Sequence, residues 1–302
     1  MGIDVFTHYA HLCWRQICRM HVMEGVKDAR VLAHGPRRIV VSMSKTVYNV
    51  VDSLFDRVNY RRICPISLHG GYAITPKMYV QIVSDCHGVL TGAIHGGVLV
   101  LAGDITNARY ISSVFDRLAP AYTAIVMVTV NHEYYGLSKA TGDALVAAAK
   151  YDNVHVLNNS SVIINGQRFV GGTLWSRPVS DKGLADFRNI EGCTVETMTA
   201  WNTECRDYLD RTLLPDDIVV THFMPVMLSQ LKKAGHVSPY EENPVLDRYF
   251  GNEGIDVSRV KLWIFGHTHT PVDVIIDGCR LLCNPVGYPG ERKNFTDLLI
   301  QV

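Results

Sequence analysis

The stretch Met78-Tyr79-Val80-Gln81-Ile82-Val83-Ser84-Asp85-Cys86-His87-Gly88 decides how the rest of the chain is read. Its apolar run, bounded by Ser, Asp and Gly, predicts a short strand over 79–83 that delivers Asp85 and His87 at its end. The same device recurs downstream. Val98–Ala102 reads as a buried strand ending in Gly103-Asp104, and Ala124–Val128 as another leading to Asn131-His132-Glu133. Ile218–Thr221 ends in His222, and Lys261–Phe265 in Gly266-His267-Thr268-His269. Helices are predicted near 108–118 and 138–150, and a long one carries Val195, Met198, Trp201, Cys205 and Leu209. Asn165-Gly166 and Asp277-Gly278 mark hairpins. A strand is expected at 154–157, and another closes the chain at 295–302. Early alternation of strand and helix, then hairpins, predicts mixed sheets with helices outside.

In such folds ligands gather at the carboxyl ends of strands. Residues far apart in sequence are therefore expected to converge: Asp85, His87, Asp104, Asn131, His222, His267 and His269. A lone histidine at a strand end is ordinarily a hydrogen-bonded core or surface residue, and only the joint pattern points to a metal. Carboxylates, imidazoles and one amide, with no thiolate, suit Mn, Fe, Zn or similar ions better than a structural zinc site. Seven donors are too many for one ion. They suffice for two ions that share a carboxylate, an arrangement that clamps the attacking and leaving oxygens in phosphoryl chemistry. Cys86 lies between two candidate ligands, but in an extended segment its side chain points away from them.

The blocks SDCHG, LAGDI, NHE, THFMP and GHTH, in that order, resemble the calcineurin-like metallophosphoesterase superfamily over about residues 78–302. GGTLW (171–175) and NPVGYPGE (284–291) are similar to segments of its small stand-alone members. The resemblance implies a four-layer α/β sandwich, two mixed sheets flanked by helices. It implies that Asp85, His87 and His269 serve a first divalent ion, that Asn131, His222 and His267 serve a second, and that Asp104 bridges them. His132 would contact the phosphate and protonate the leaving oxygen, with a metal-bound hydroxide as nucleophile acting on a phosphate ester.

Two departures stand out. Val130 replaces the glycine that usually precedes the Asn-His pair, so the turn must differ there or carry strain. Asp104 is followed by Ile-Thr-Asn-Ala instead of the block typical of the Ser/Thr protein phosphatases, which argues against that branch. Tyr134, Tyr135 and Trp175 read as packing residues ahead of any contact with a substrate ring. Asn284-Pro285 is expected to shape a turn near the site without touching metal.

Residues 1–77 differ in character from the rest of the chain. Apolar spacing predicts an amphipathic helix over about 4–23 and a second after Ser44, with Pro65, Gly70-Gly71 and Pro76 forming a linker. The region is expected to be a mainly helical extension. His8, His11 and His21 are read as residues of its first helix. It holds 11 Lys+Arg against 5 Asp+Glu, a balance of +6, while the remainder (29 − 11 = 18 against 29 − 5 = 24) carries −6. The basic face is read as solvated or docked on the acidic body, with a second copy of the chain as the next expectation. A nucleic-acid or membrane-surface contact is less favoured. Eight scattered cysteines without a CxxC pair, no leader-like start and no apolar run of roughly 18 residues point to a cytoplasmic protein. Two other functions remain open on sequence: a phosphodiesterase or nuclease using the basic extension, and a non-catalytic scaffold.

Overall fold

A computed structural model describes residues 30–35, 38–42, 66–68, 78–90, 92–180, 184–237, 244–291 and 295–302. The chain divides into two compact units, Met1–Lys77 and Met78–Val302.

In the first unit the described residues are strands: β1 (Arg30–Gly35), β2 (Arg38–Ser42) and β3 (Ile66–Leu68). β1 pairs with β2 antiparallel and β2 with β3 parallel. The sequence reading expected no strand at these described residues. The run Ile39-Val40-Val41 is β-branched throughout and favours a pleated surface over a helix. Ile66–Leu68 lies where a linker was expected. The predicted helices over 4–23 and after Ser44, with His8, His11 and His21, lie outside the described residues.

The second unit holds two facing sheets. The first comprises β4 (Tyr79–Val83), β5 (Val98–Leu101), β6 (Ala124–Val128), β8 (Val154–Leu157) and, at the far edge, β16 (Leu298–Gln301). A two-residue strand, β7 (Leu137–Ser138), lies apart and pairs with β11 (Ile190–Glu191). The order is β16-β4-β5-β6-β8, parallel except for β16. The second sheet contains β9 (Ser160–Ile164), β10 (Gln167–Gly171), β12 (Ile218–Val220), β13 (Leu262–Phe265), β14 (Val272–Ile276) and β15 (Cys279–Cys283), in the order β14-β15-β13-β12-β10-β9. Its edges are the two predicted hairpins. Asn165 and Gly166, and Asp277 and Gly278, all take positive φ, as a two-residue turn matched to strand twist requires.

Between the sheets, Val80, Ile82, Val98, Val100, Val126 and Val128 meet Phe169, Ile218, Val220, Ile264 and Leu282 in one buried cluster. Each such side chain removed from water contributes about 1.5–3 kcal/mol before chain entropy is counted. The outer faces are covered by helices. In α1 (Ile111–Leu118), Ile111, Val114, Phe115 and Leu118 fall on one side and bury it against the first sheet. α2 (Lys139–Ala148) adds Val146 to the same layer. A single helical turn, α3 (Asp186–Asn189), precedes α4 (Val195–Thr212), whose Cys205 and Leu209 pack on the second sheet. Thr194 and Thr197 close a reciprocal cap that fixes where α4 begins. α5 (Leu228–Lys233) joins this layer through Leu228 and Leu231, and α6 (Pro244–Phe250) comes next in the chain. The result is the four-layer αββα sandwich expected from sequence, and the loops after β4, β5, β6, β12 and β13 carry the candidate ligands.

Candidate metal centre

Metal-type atoms from those loops converge on two groups. One ligand atom from each of Asp85, His87, Asp104 and His269 lies within 4.8 Å of the others, and the same holds for Asp104, His222 and His267. Asp104 belongs to both. His222 Nε2 is 3.4 Å, His132 Nε2 3.9 Å and His87 Nε2 4.0 Å from Asp104 Oδ2, while His269 Nε2 is 3.6 Å from Asp85 Oδ1. Asn131 adjoins His132, whose backbone N–H donates to Asp104 Oδ1 (3.2 Å).

The backbone is strained where these residues sit. Asp85, His87, Asp104, His267 and His269 all take positive φ. For an L-residue that conformation costs about 1–2 kcal/mol. Asp and His tolerate it better than most residues, and strain gathered in one place is characteristic of functional sites. Two glycines permit the crowding. A Cβ on Gly103 would lie 2.7 Å from His222 Nδ1 and 2.7 Å from Val130 Cγ1, and one on Gly266 would lie 2.9 Å from Ala102 O and 3.0 Å from Asp85 Oδ2. Val130 itself takes no positive φ and is buried in the inter-sheet core. The turn therefore differs instead of storing strain: Asn131 is helical (φ −56, ψ −48) and opens a short 3-10 turn over His132–Tyr134.

Several partners fix how the donors face. His222 Nδ1–H donates to Ala102 O (2.8 Å), and His269 Nδ1–H to Glu291 Oε2 (2.7 Å), so each Nε2 is turned inward. Asn131 Nδ2 donates to Asp186 Oδ1 (3.1 Å), an acceptor it shares with Tyr135 Oη (2.7 Å). That orients the amide with its oxygen free. Glu133, fully buried, accepts from the backbone N–H groups of Ile105 (2.7 Å), Val130 (2.9 Å), Asp104 (3.3 Å) and Thr106 (3.3 Å). It thereby ties the Asp104 loop to the Asn131 loop.

The donor set fits a divalent ion on structural grounds. Asn131 Oδ1 and His222 Nε2 are buried polar atoms with no hydrogen-bond partner among the described residues. Such groups are costly unless something fills their need. His87 Nε2 and His269 Nε2 stand 3.0 Å apart, the latter with its proton committed on the opposite nitrogen. The electrostatics agree. Burial, reinforced by the neighbouring histidines, holds His87 down at about 4, and a neutral imidazole is the form that can take a metal. Burial and then the charge of His222 push His267 well below the usual range. Burial opposes charge on His222, yet Asp104 beside it carries the imidazole up to about 9. Asp104 is likewise held low despite its burial, by His222 and His132. A cation bound there would compete with a proton for His222.

Sequence reading placed Asp85, His87, Asp104, His222, His267 and His269 where the structure brings them together, with Asn131 adjoining. It assigned no role to Glu133, Asp186, Tyr288 or Glu291. Cys86 is buried in the outer core beside α1, away from the cluster, as expected. Tyr134 and Trp175 are core residues. Tyr135, in contrast, lies against His132 with ring centroids 4.2 Å apart.

Fold and cluster together are those of a four-layer α/β phosphoesterase. Residues 68–271 match the family model described as calcineurin-like phosphoesterase, and the chain belongs to that family. It is 28% identical to the uncharacterized protein L509 of Acanthamoeba polyphaga mimivirus over 228 residues, 65% of this chain and 80% of that one. Among solved structures, the phosphopantetheinyl hydrolase from Mycobacterium tuberculosis superposes with a TM-score of 0.56 at 18% identity, covering 76% of this chain and 97% of that chain. At that identity the likeness speaks for the fold.

Proposed function

We infer that the protein is a hydrolase of phosphate esters working with two divalent ions. Asp85, His87 and His269 would hold the first, Asn131, His222 and His267 the second, and Asp104 both. The observation that carries this reading is that Asp104 belongs to both ligand groups. Ions bound there would lower the pKa of a water molecule and offset charge on the phosphoryl oxygens. The chain's own residues supply the rest. His132 keeps 24% of its side chain exposed at the mouth of the cluster, where it can reach a leaving oxygen. Glu133 keeps the two loops in register.

Imidazole, carboxylate and amide donors suit Mn, Fe or Zn. The described free cysteines, Cys86, Cys193, Cys205, Cys279 and Cys283, are all buried thiols, which fits a reducing cytoplasmic setting. Among the described residues no helix is long and apolar enough to cross a membrane. The test is a hydrolysis panel of aryl mono- and diesters, cyclic nucleotides and short nucleic acids, run with each metal and with chelator. Turnover that requires metal supports the reading. No turnover on any ester with a fully loaded protein overturns it and leaves the scaffold alternative.

Under this assignment, Glu291→Gln should weaken metal retention by about 10–100-fold, because it loosens the partner that orients His269. Competition with a chromophoric chelator measures this, and an unchanged affinity would remove Glu291 from the support of the site. Separately, every proposed ligand lies within 78–302, so we place the catalytic unit there. A 78–302 fragment should retain metal and hydrolyse a small aryl ester. A soluble, metal-loaded but inactive fragment would show that residues 1–77 complete the site.

A further inference from the structure

We propose that Tyr288 is a second leaving-group residue, acting beside His132 on the departing oxygen of the ester; this rests on the phosphoesterase reading above. Four observations carry it. The Tyr288 ring stacks on His87, with centroids 4.1 Å apart and planes inclined by 23°. Its hydroxyl lies 3.2 Å from His132 Nε2, the atom that would deliver the proton. The residue is 46% exposed, and its hydroxyl lies beside His132, whose side chain is itself partly exposed. It is also firmly held. Tyr288 N–H donates to Glu291 Oε2 (2.8 Å), the same oxygen that accepts from His269 Nδ1–H. Upstream, Val286 N–H and Gly287 N–H donate to Ser84 O and Asp85 O, both at 2.9 Å. The Asn284 side chain anchors the start of the loop on Ile82 O (3.0 Å) and Thr296 O (3.2 Å). The phenol is thus placed by the strand that delivers Asp85.

An oxygen that hydrogen-bonds His132 Nε2 enters the space next to the phenol hydroxyl, within reach of both. In the reaction the bond from phosphorus to the leaving oxygen breaks, and its electron pair stays on that oxygen. His132 gives the oxygen a proton. The water oxygen bonds to phosphorus and releases a proton to solvent, from which His132 is recharged. Tyr288 keeps its own proton and donates a hydrogen bond to the oxygen as charge builds there. A donor aimed at developing charge stabilises the transition state more than the ground state, so its removal appears in kcat. The stack on His87 and the loop hydrogen bonds are not touched by loss of the hydroxyl alone.

Tyr288→Phe is therefore the informative change. On an alkyl phosphate ester with a poor leaving group, kcat should fall by about 10–100-fold, the worth of one hydrogen bond to a charged oxygen. On a nitrophenyl ester, which needs little help to depart, the loss should be under about 3-fold. Metal content by mass spectrometry and thermal stability should match the wild type. In the His132→Ala background, Tyr288→Phe should have much less effect, because both act on one oxygen. Equal turnover of Tyr288→Phe and wild type on both esters overturns the proposal while leaving the phosphoesterase reading intact. So does an equal loss on both, which would mark Tyr288 as a binding residue only. A loss accompanied by lower metal content would assign it to support of His87 and also overturn it. A metal-loaded wild type that hydrolyses no ester of the full panel overturns both readings together.

Discussion

Asp104→Asn is expected to abolish turnover and loosen both metal ions together. The side chain is buried, and its Oδ2 is the atom approached by His87, His132 and His222. An amide has nearly the same shape, so the substitution removes charge and little else. Asparagine also tolerates positive φ, the conformation held at this position, so the turn after β5 should survive. What disappears is the one carboxylate common to both groups of ligands. Charge stabilisation by a bound ion is worth several kcal/mol in the transition state, which corresponds to a loss of roughly 10³-fold or more in kcat/KM. Loss of both ions, and not one, is the distinguishing result, because substitution at Asp85 or His267 should weigh on one group first. Metal stoichiometry after gel filtration measures it. A variant that keeps two tightly bound ions and near-normal turnover would contradict the assignment of Asp104.

The candidate site was legible because the residues that converge on it sit at strand ends, where sequence pattern is strongest. Val98–Leu101 and Ala124–Val128 are buried along their whole length, and such runs are conspicuous. The hairpins at Asn165-Gly166 and Asp277-Gly278 were equally plain, since only a few residue types accept their backbone angles. Glu133 and Glu291 were not legible as organisers. Each lies within a block that sequence reading noticed, yet what each does depends on partners far along the chain: Ile105 for one, His269 for the other. Asp186 lies 55 positions from Asn131, and no periodicity connects them. Val130 illustrates the opposite limit. Sequence alone offered strain or a different turn, and the choice depended on Asn131 entering a helical turn while Val130 packed between the sheets. In residues 1–77 the β-branched signal of Ile39–Val41 was passed over in favour of the helical periodicity on either side of it.

His132→Ala should leave both ions in place while lowering kcat by about 10²–10⁴-fold, the range for a positioned general acid. The local geometry makes the substitution clean. The contact of His132 with Asp104 Oδ1 is made by its backbone N–H and survives the change. Its ring packs against Tyr135 and meets His87 edge-on at 4.5 Å, so some repacking is expected, yet none of the orienting bonds to His222, His269 or Asn131 passes through it. The dependence on leaving group carries the mechanistic weight. An alkoxide cannot depart at useful speed without a proton, whereas a nitrophenolate can, so the deficit should shrink steeply between the two esters. Its slope separates proton delivery from mere positioning of the phosphate, which would lower both rates alike. Equal losses on good and poor leaving groups, with metal content unchanged, would leave His132 as a phosphate contact and require the proton to come from another group at the mouth of the site.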